Sequence, residues 1–190
     1  MAKGLRVLNW LTVAGGTGLL LLSLWPGFVV GCWLVLAYPL ILALGVAWLV
    51  VVFWGTRRKL ASPIGARAAL VAPIVVCLTY GMLRYYVPRR LAFAACQAMF
   101  ERHVTATPKG RPAPLGRWLG IYRVDEYAAD DRGGVYFRTG ATGGGIGPDT
   151  VSYGFAYRPS REGSPFGAAR YGVYRLFGDW YWFRASNDSY

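Results

Sequence analysis

Neither Asp nor Glu occurs in the first hundred residues of the chain. Charge of either sign is missing from Val7 through Thr56, a run of 50 residues rich in Leu, Val, Ala, Gly and Trp. Bilayer hydrocarbon accepts apolar helices of about 20 residues and penalises a charge at its centre by roughly 2.5–3.5 kcal/mol. So long an uncharged run excludes an ordinary soluble domain, and this half reads as embedded in a membrane. Cysteine is scarce as well. Cys32, Cys77 and Cys96 share no paired spacing and none follows Cys96, so the C-terminal half does not depend on disulfides. His103 is the single histidine, which excludes a Cys/His structural metal site. No cofactor is expected.

All nine acidic residues lie between Glu101 and Asp188. Nine of the 21 basic residues precede position 91, namely Lys3, Arg6, Arg57, Arg58, Lys59, Arg67, Arg84, Arg89 and Arg90. The net charge of +12 is therefore mostly a feature of the membrane half. It flanks apolar segments instead of clustering on one folded face, and nucleic acid is not an expected partner.

The Leu24-Trp25-Pro26-Gly27 sequence punctuates the apolar run, because Pro and Gly break a helix and Trp favours the interface. The membrane domain, residues 1–87, is thus expected to hold three transmembrane helices, at about 7–25, 28–54 and 64–84. Pro39 predicts a kink in the second. The uncharged core of the third is short, so Arg67 and Arg84 are expected to reach outward from its ends. A cleavable signal peptide is disfavoured by the length of the apolar stretch and the lack of an A-x-A site. Ala14 with Gly18, and Ala43 with Ala47, stand at helix-packing intervals and suggest close helix contacts or self-association within the bilayer. With the N-terminus inside, six basic residues face the cytoplasm and three the opposite side. The expected location is the cell membrane, with the N-terminus cytoplasmic and the C-terminal domain extracytoplasmic.

Residues 88–114 read as an amphipathic connector helix, Pro88 to Val104, followed by a Pro-rich linker. Phe93, Cys96, Phe100 and Val104 form its apolar stripe. From residue 115 to 190 the hydrophobic period becomes two. Segments 120–125, 134–138, 151–157, 171–176 and 180–184 read as strands, joined by turns at Asp130–Gly134 and Gly178-Asp179. The fold class is a membrane α-helical part plus a small antiparallel β domain, α+β with a connector helix.

Candidate chemistry is sparse. The loop Gly140-Ala-Thr-Gly-Gly-Gly-Ile-Gly147 lacks the Lys-Ser/Thr of a phosphate-binding loop and lies between strands. His103 has no nucleophile in a recognisable elbow beside it. Asp125 and Glu126 point to opposite faces of a strand, and Asp130 with Asp131 suit a turn. The aromatic run Trp180-Tyr181-Trp182-Phe183-Arg184 stands out. Alternation places Trp180, Trp182 and Arg184 on one face, a possible partner-binding platform, with Tyr181 and Phe183 on the other. The leading expectation is a non-enzymatic, partner-binding or accessory subunit of an envelope complex. The alternative is a small-ligand binder or enzyme using a cleft beside the Gly140–Gly147 loop.

Overall fold

A computed structural model describes residues 2–28, 42–43, 45–50, 53, 63–105, 109–143 and 150–186, with the side chains of 2–3, 28, 63–69, 142–143 and 150 outside that description. The chain divides into two compact units. One holds Met1–Leu24 with Phe28–Pro88, and the other holds Trp25–Gly27 with Arg89–Tyr190.

In the first unit, helix α1 spans Ala2–Leu22 and helix α2 spans Pro63–Arg84. Leu5, Leu8, Thr12 and Gly16 recur at helical spacing along the buried stripe of α1, and Ala72 and Thr79 are buried on α2. The two helices close on each other at Gly16, where a Cβ would stand 2.8 Å from the Thr79 hydroxyl oxygen and 3.4 Å from Val75. Small residues let backbones approach in this way. The close contact therefore uses Gly16, whereas the expected Ala14 is exposed and a Cβ on Gly18 would meet nothing within 4 Å. Thr12 satisfies its hydroxyl by donating to the Leu8 carbonyl at 2.8 Å, so it enters the apolar contact at little cost.

The rest of α1 is apolar and outward. Trp10 is 74% exposed, and Val7, Leu11 and Leu21 are exposed with it. Among the described helices, Gly4–Leu22 is the one long and apolar enough to cross a membrane by itself. The expected count of three such helices is not reached. Helix α2 carries Pro73 inside it, and charge at Arg67 and Arg84 cuts its uncharged core to 16 residues. The segment from Leu70 meets the criterion only when taken together with the helix that follows. The expected second helix, at 28–54, falls mostly outside the described residues, as does Pro39.

The second unit is α+β. Helix α3 spans Val87–Val104, and strands β1 (Ala113–Leu119), β2 (Tyr122–Ala129), β3 (Val135–Gly143), β4 (Thr150–Tyr157), β5 (Gly172–Phe177) and β6 (Trp180–Ser186) follow. They form one antiparallel sheet in the order β1-β2-β3-β4-β6-β5. Six strands replace the five read from the sequence. The additional one, β1, is an edge strand with Pro114, a bulge between Pro114 and Arg117, and Gly116 at φ 61°. Those features make it poor as a strand pattern and also protect the edge from pairing with another chain.

Both faces of the sheet are covered. On one, Tyr157, Phe155 and Tyr153 of β4 stand opposite Trp180, Trp182 and Arg184 of β6. The α3 stripe lies on this face: Phe93 packs 4.5 Å from Phe155 and 5.0 Å from Trp180, and Phe100 packs 5.3 Å from Phe137. Phe93, Cys96 and Phe100 are buried, so the stripe of the connector helix is used up under the β domain. The other face is covered for a topological reason. Because β6 lies between β4 and β5, the chain must cross the sheet to reach β5 before returning. That crossing, residues 158–171, lays Phe166 on Phe183 with ring centroids 5.9 Å apart and buries it with Ala128, Tyr136, Ala156 and Ala185.

Candidate functional site

The run 180–184 sits in the middle of this architecture. Trp180 is 2% exposed and Trp182 5%, and Phe183 is fully buried, so neither alternation class presents an open aromatic face. Trp180 is core under α3. Trp182 is different, because polar and charged groups converge on it. The guanidinium carbon of Arg89 lies 4.5 Å from the Trp182 ring centroid, and Tyr174 of β5 stacks on the indole at 4.2 Å with 12° between planes. Tyr174 and Trp182 are direct cross-strand partners, which places the rings in register. Tyr174 is 41% exposed and forms the outward end of the stack.

Arg89 is 1% exposed in the first turn of α3, and its Nη2 donates to the Trp25 carbonyl at 3.4 Å. The Trp25-Pro26-Gly27 segment is part of this unit. A Cβ on Gly27 would stand 3.2 Å from the Tyr153 ring, so glycine permits the approach. On the neighbouring strand, Arg184 is in register with both Tyr153 and Gly172. Arg184 is half-buried, and its enclosed Nε meets no hydrogen-bond partner among the described residues. Arg90 completes the group by donating from Nη2 to the Arg175 carbonyl on the edge strand, at 3.3 Å. The first turn of α3 holds no acidic residue. Two arginines there oppose the helix dipole, an arrangement that costs roughly 0.3–1 kcal/mol per exposed charge without an anion nearby.

Of the residues singled out from the sequence, Trp182 and Arg184 belong to this cluster, and Trp180 lies beneath it in the core. Arg89, Arg90 and Tyr174 were missed. In the sequence Arg89 and Arg90 read only as flanking charge at the start of a helix, and nothing in a single sequence pairs Tyr174 with Trp182 before strand order is known.

A second polar site lies on the other face, where the β2–β3 hairpin meets the crossing. Asp130 organises the hairpin: its Oδ1 accepts from the Arg132 and Gly134 amides at 2.9 and 2.6 Å, and Gly133 adopts φ 87°. The Tyr136 hydroxyl accepts from the Ser160 amide at 2.8 Å. It has one hydrogen for the Asp130 Oδ2, the Gly163 carbonyl and the Tyr171 hydroxyl, each 3.2 Å away. Tyr171 directs its own hydrogen to the Ser160 carbonyl at 2.8 Å. Burial pushes the Tyr171 phenol up to about 12 and raises Tyr136 as well, where the hydrogen bond with Tyr171 adds to the effect. Above this network is an open cleft of about 370 Å³, rimmed by Asp131, Arg132, Glu162 and Ser164. Arg132 and Glu162 pair across it at 2.6 Å.

No family model, curated protein or solved structure matches this chain. Its function must therefore be read from these groups alone. The cleft lies at the opposite end of β3 from the glycine-rich loop, whose residues 144–147 are outside the described structure. Asp125 and Glu126 do not act together: Asp125 lies 3.8 Å from Arg123, and Glu126 pairs with Arg138 at 3.0 Å. His103 ends α3 with Nδ1 3.0 Å from the Met99 carbonyl oxygen. Among the described residues no group of three His, Cys, Asp or Glu side chains is placed to hold a metal ion.

Proposed function

We propose that the chain is a three-span membrane protein that carries a rigid extracytoplasmic β domain and serves as a non-enzymatic, partner-binding or accessory subunit of an envelope complex. One observation supports the topology above the rest. Trp25-Pro26-Gly27, directly after the apolar α1, packs in the same unit as Arg89–Tyr190. A chain that passes Gly27 and returns at Arg89 on the same side of a bilayer has crossed it an even number of times between. The apolar run up to Thr56 and helix α2 supply two crossings. Adding α1 gives three, with the β domain opposite the N-terminus. The excess of basic residues at the N-terminus and in the 57–67 segment then favours an inside N-terminus.

The accessory role is supported by how the polar groups of the β domain are used. Asp130 holds its hairpin, Glu162 holds Arg132, and Tyr136 ties the crossing to the sheet. They rigidify loops instead of converging on a reacting atom. The test joins topology to partnership. A reporter active only outside the cytoplasm, fused after Tyr190, should be active, and the same reporter placed within residues 57–61 should be silent. The chain purified in mild detergent should bring a defined envelope protein with it. Cytoplasmic placement of the Tyr190 fusion defeats the topology, and a chain that purifies alone defeats the accessory role.

A second reading, a small polar ligand held by the β domain, is favoured by the volume of the cleft and its rim of Asp131, Arg132 and Glu162. Under that reading, a thermal-shift screen of small polar compounds returns a stabiliser whose effect is lost in Glu162→Gln.

A further inference from the structure

We infer that the first unit holds one acyl chain of a membrane lipid, end first, in a slot between α1, α2 and the helical segment 45–50. The inference rests on the membrane-embedded reading of this unit, which brings the slot to hydrocarbon.

The slot is a cavity of about 190 Å³ with an almost wholly apolar lining. Thr12 and Ala72, both buried, form its floor, and Trp48 and Val76 are half-buried along its sides. Gly45 and Cys77 are exposed and mark its mouth. The sequence leaves this space open. A Cβ on Gly45 would meet nothing within 4 Å, so no neighbour has closed in where glycine leaves room, and Ala72 is too short to fill the gap from the floor.

Water is a poor occupant, because it needs about two to four polar partners. Here the Thr12 hydroxyl is committed to the Leu8 carbonyl at 2.8 Å, and Pro73, also in the lining, has no amide hydrogen. An apolar cavity of about 150 Å³ stays dry and takes benzene, so by the same scale this one has room for roughly seven carbons of chain.

Depth selects the occupant. Thr12 lies beside the midpoint of Gly4–Leu22, the helix apolar enough to span by itself. Residues 72–77 bracket the midpoint of 68–83, the uncharged core of α2. Two helices thus place the slot independently at one depth, the centre of the hydrocarbon. That is where acyl chains end, and a neighbouring helix, about 10 Å across, is too wide to enter. A chain end in the slot gives the lining dispersion contacts that an empty cavity forfeits. Such contacts, and not the hiding of apolar surface, are what binding inside a membrane gains.

The experiment uses the full chain in phosphatidylcholine bilayers that contain a phosphatidylcholine with a photoreactive diazirine either near the end of one acyl chain or near its ester. Irradiation followed by peptide mass spectrometry reads where the lipid attaches. The terminal label is expected on Trp48, Val76 and Cys77 above its level at Leu49 and Leu78, which are exposed on the same helices, and the ester-proximal label shows no such excess. Gly45→Leu grows a side chain into open space, and Cys77→Phe closes the mouth from α2. Either plug should remove the excess at the slot while Leu49 and Leu78 keep their adducts. Gly18→Leu, which adds the same side chain away from the slot, should match the parent. Gly45→Leu should also keep or raise the melting point, because it fills a void. Equal labelling of slot and outward positions in the parent, an excess that persists in both plugs, or an excess from the ester-proximal label would each overturn the inference. Copies of the chain that cross-link to one another through the slot in place of lipid would overturn it too, and assign the space to a side chain of a second copy. Failure of the membrane-embedded reading looks different, since Leu49 and Leu78 then carry no adducts either.

Discussion

The guanidinium of Arg89 and the indole of Trp182 lie 4.5 Å apart, carbon to ring centroid, inside a domain where the arginine is almost wholly excluded from solvent. A buried guanidinium is costly unless its charge and donors are met. Here the aromatic face meets the charge, and the Trp25 carbonyl accepts at 3.4 Å, long for a strong hydrogen bond. The ring contact is therefore the larger of the two effects, and it makes Arg89 the joint between the 25–27 segment, α3 and β6.

Arg89→Gln should consequently destabilise the β domain by about 2 kcal/mol, the scale of a desolvated cation–π contact. Arg89→Lys should fall between, because an ammonium keeps the charge but loses the planar stacking. Thermal unfolding checks the magnitude. Limited proteolysis checks the mechanism, since loss of the joint should expose the bonds around Trp25 to Gly27 before the sheet opens. Unchanged cleavage there would mean that Arg89 serves the sheet alone.

The aromatic run of β6 supplies a second expectation. Trp180 is core against Phe93 at 5.0 Å, while Phe183 is core against Phe166 at 5.9 Å on the other side. Truncating a buried aromatic costs about 3–5 kcal/mol. Both double variants, Trp180→Ala/Trp182→Ala and Tyr181→Ala/Phe183→Ala, should therefore unfold the β domain, as read by circular dichroism. A well-folded Trp180→Ala/Trp182→Ala protein would contradict the burial of both indoles.

Much of this fold was legible in the sequence. Period-two runs located five strands, and the Phe93, Cys96, Phe100 stripe located α3 and its buried face, because both signals are local. What was not legible depends on order in space. Strand β1 hides behind Pro114 and Gly116, whose chemistry suits an edge more than a strand. The burial of both faces of β6 follows from its insertion between β4 and β5, which no local pattern encodes. For the same reason Trp182 and Arg184 could be named from alternation while Tyr174 and Arg89, their neighbours through the sheet and the helix, could not. In the helical half, spacing alone suggests Ala14 and Gly18 as a packing pair. Gly16 holds that place because the facing side chains belong to Val75 and Thr79 on another helix.

Stability at alkaline pH follows from the buried phenols. Burial raises Tyr171 from the ordinary value near 10 to about 12, and Tyr122 and Tyr136 are raised too, also chiefly by burial. A group that holds its proton more tightly when folded contributes stability that is fully present below the unfolded pKa and fades as pH rises through the folded one. The domain should thus hold its stability up to about pH 10 and lose it steadily from there toward 12. Tyr171→Phe should flatten part of that decline while giving up the bond to the Ser160 carbonyl. Denaturant midpoints across this window, read beside tyrosinate absorbance, check both. A stability that stays level from pH 10 to 12 would exclude these phenols as the cause.

The contact between α1 and α2 makes the most direct demand on a single residue. At Gly16 any side chain begins 2.8 Å from the Thr79 hydroxyl and 3.4 Å from Val75, and a longer one must push the helices apart. Association of apolar helices in lipid gains nothing from hiding apolar surface, so it depends on van der Waals fit, and separation forfeits it. Gly16→Leu should therefore lower the melting point of the full chain in detergent, with an effect of about 1–3 kcal/mol for overpacking. Gly18→Leu, two residues away with open space at its Cβ, should stay within about 0.5 kcal/mol of the parent. Thr79→Ala in the Gly16→Ala background should recover part of the loss, because it removes the atom a new Cβ meets first. Equal effects of Gly16→Leu and Gly18→Leu would mean that α1 and α2 do not rely on this contact, and the first unit would then have to be held together elsewhere.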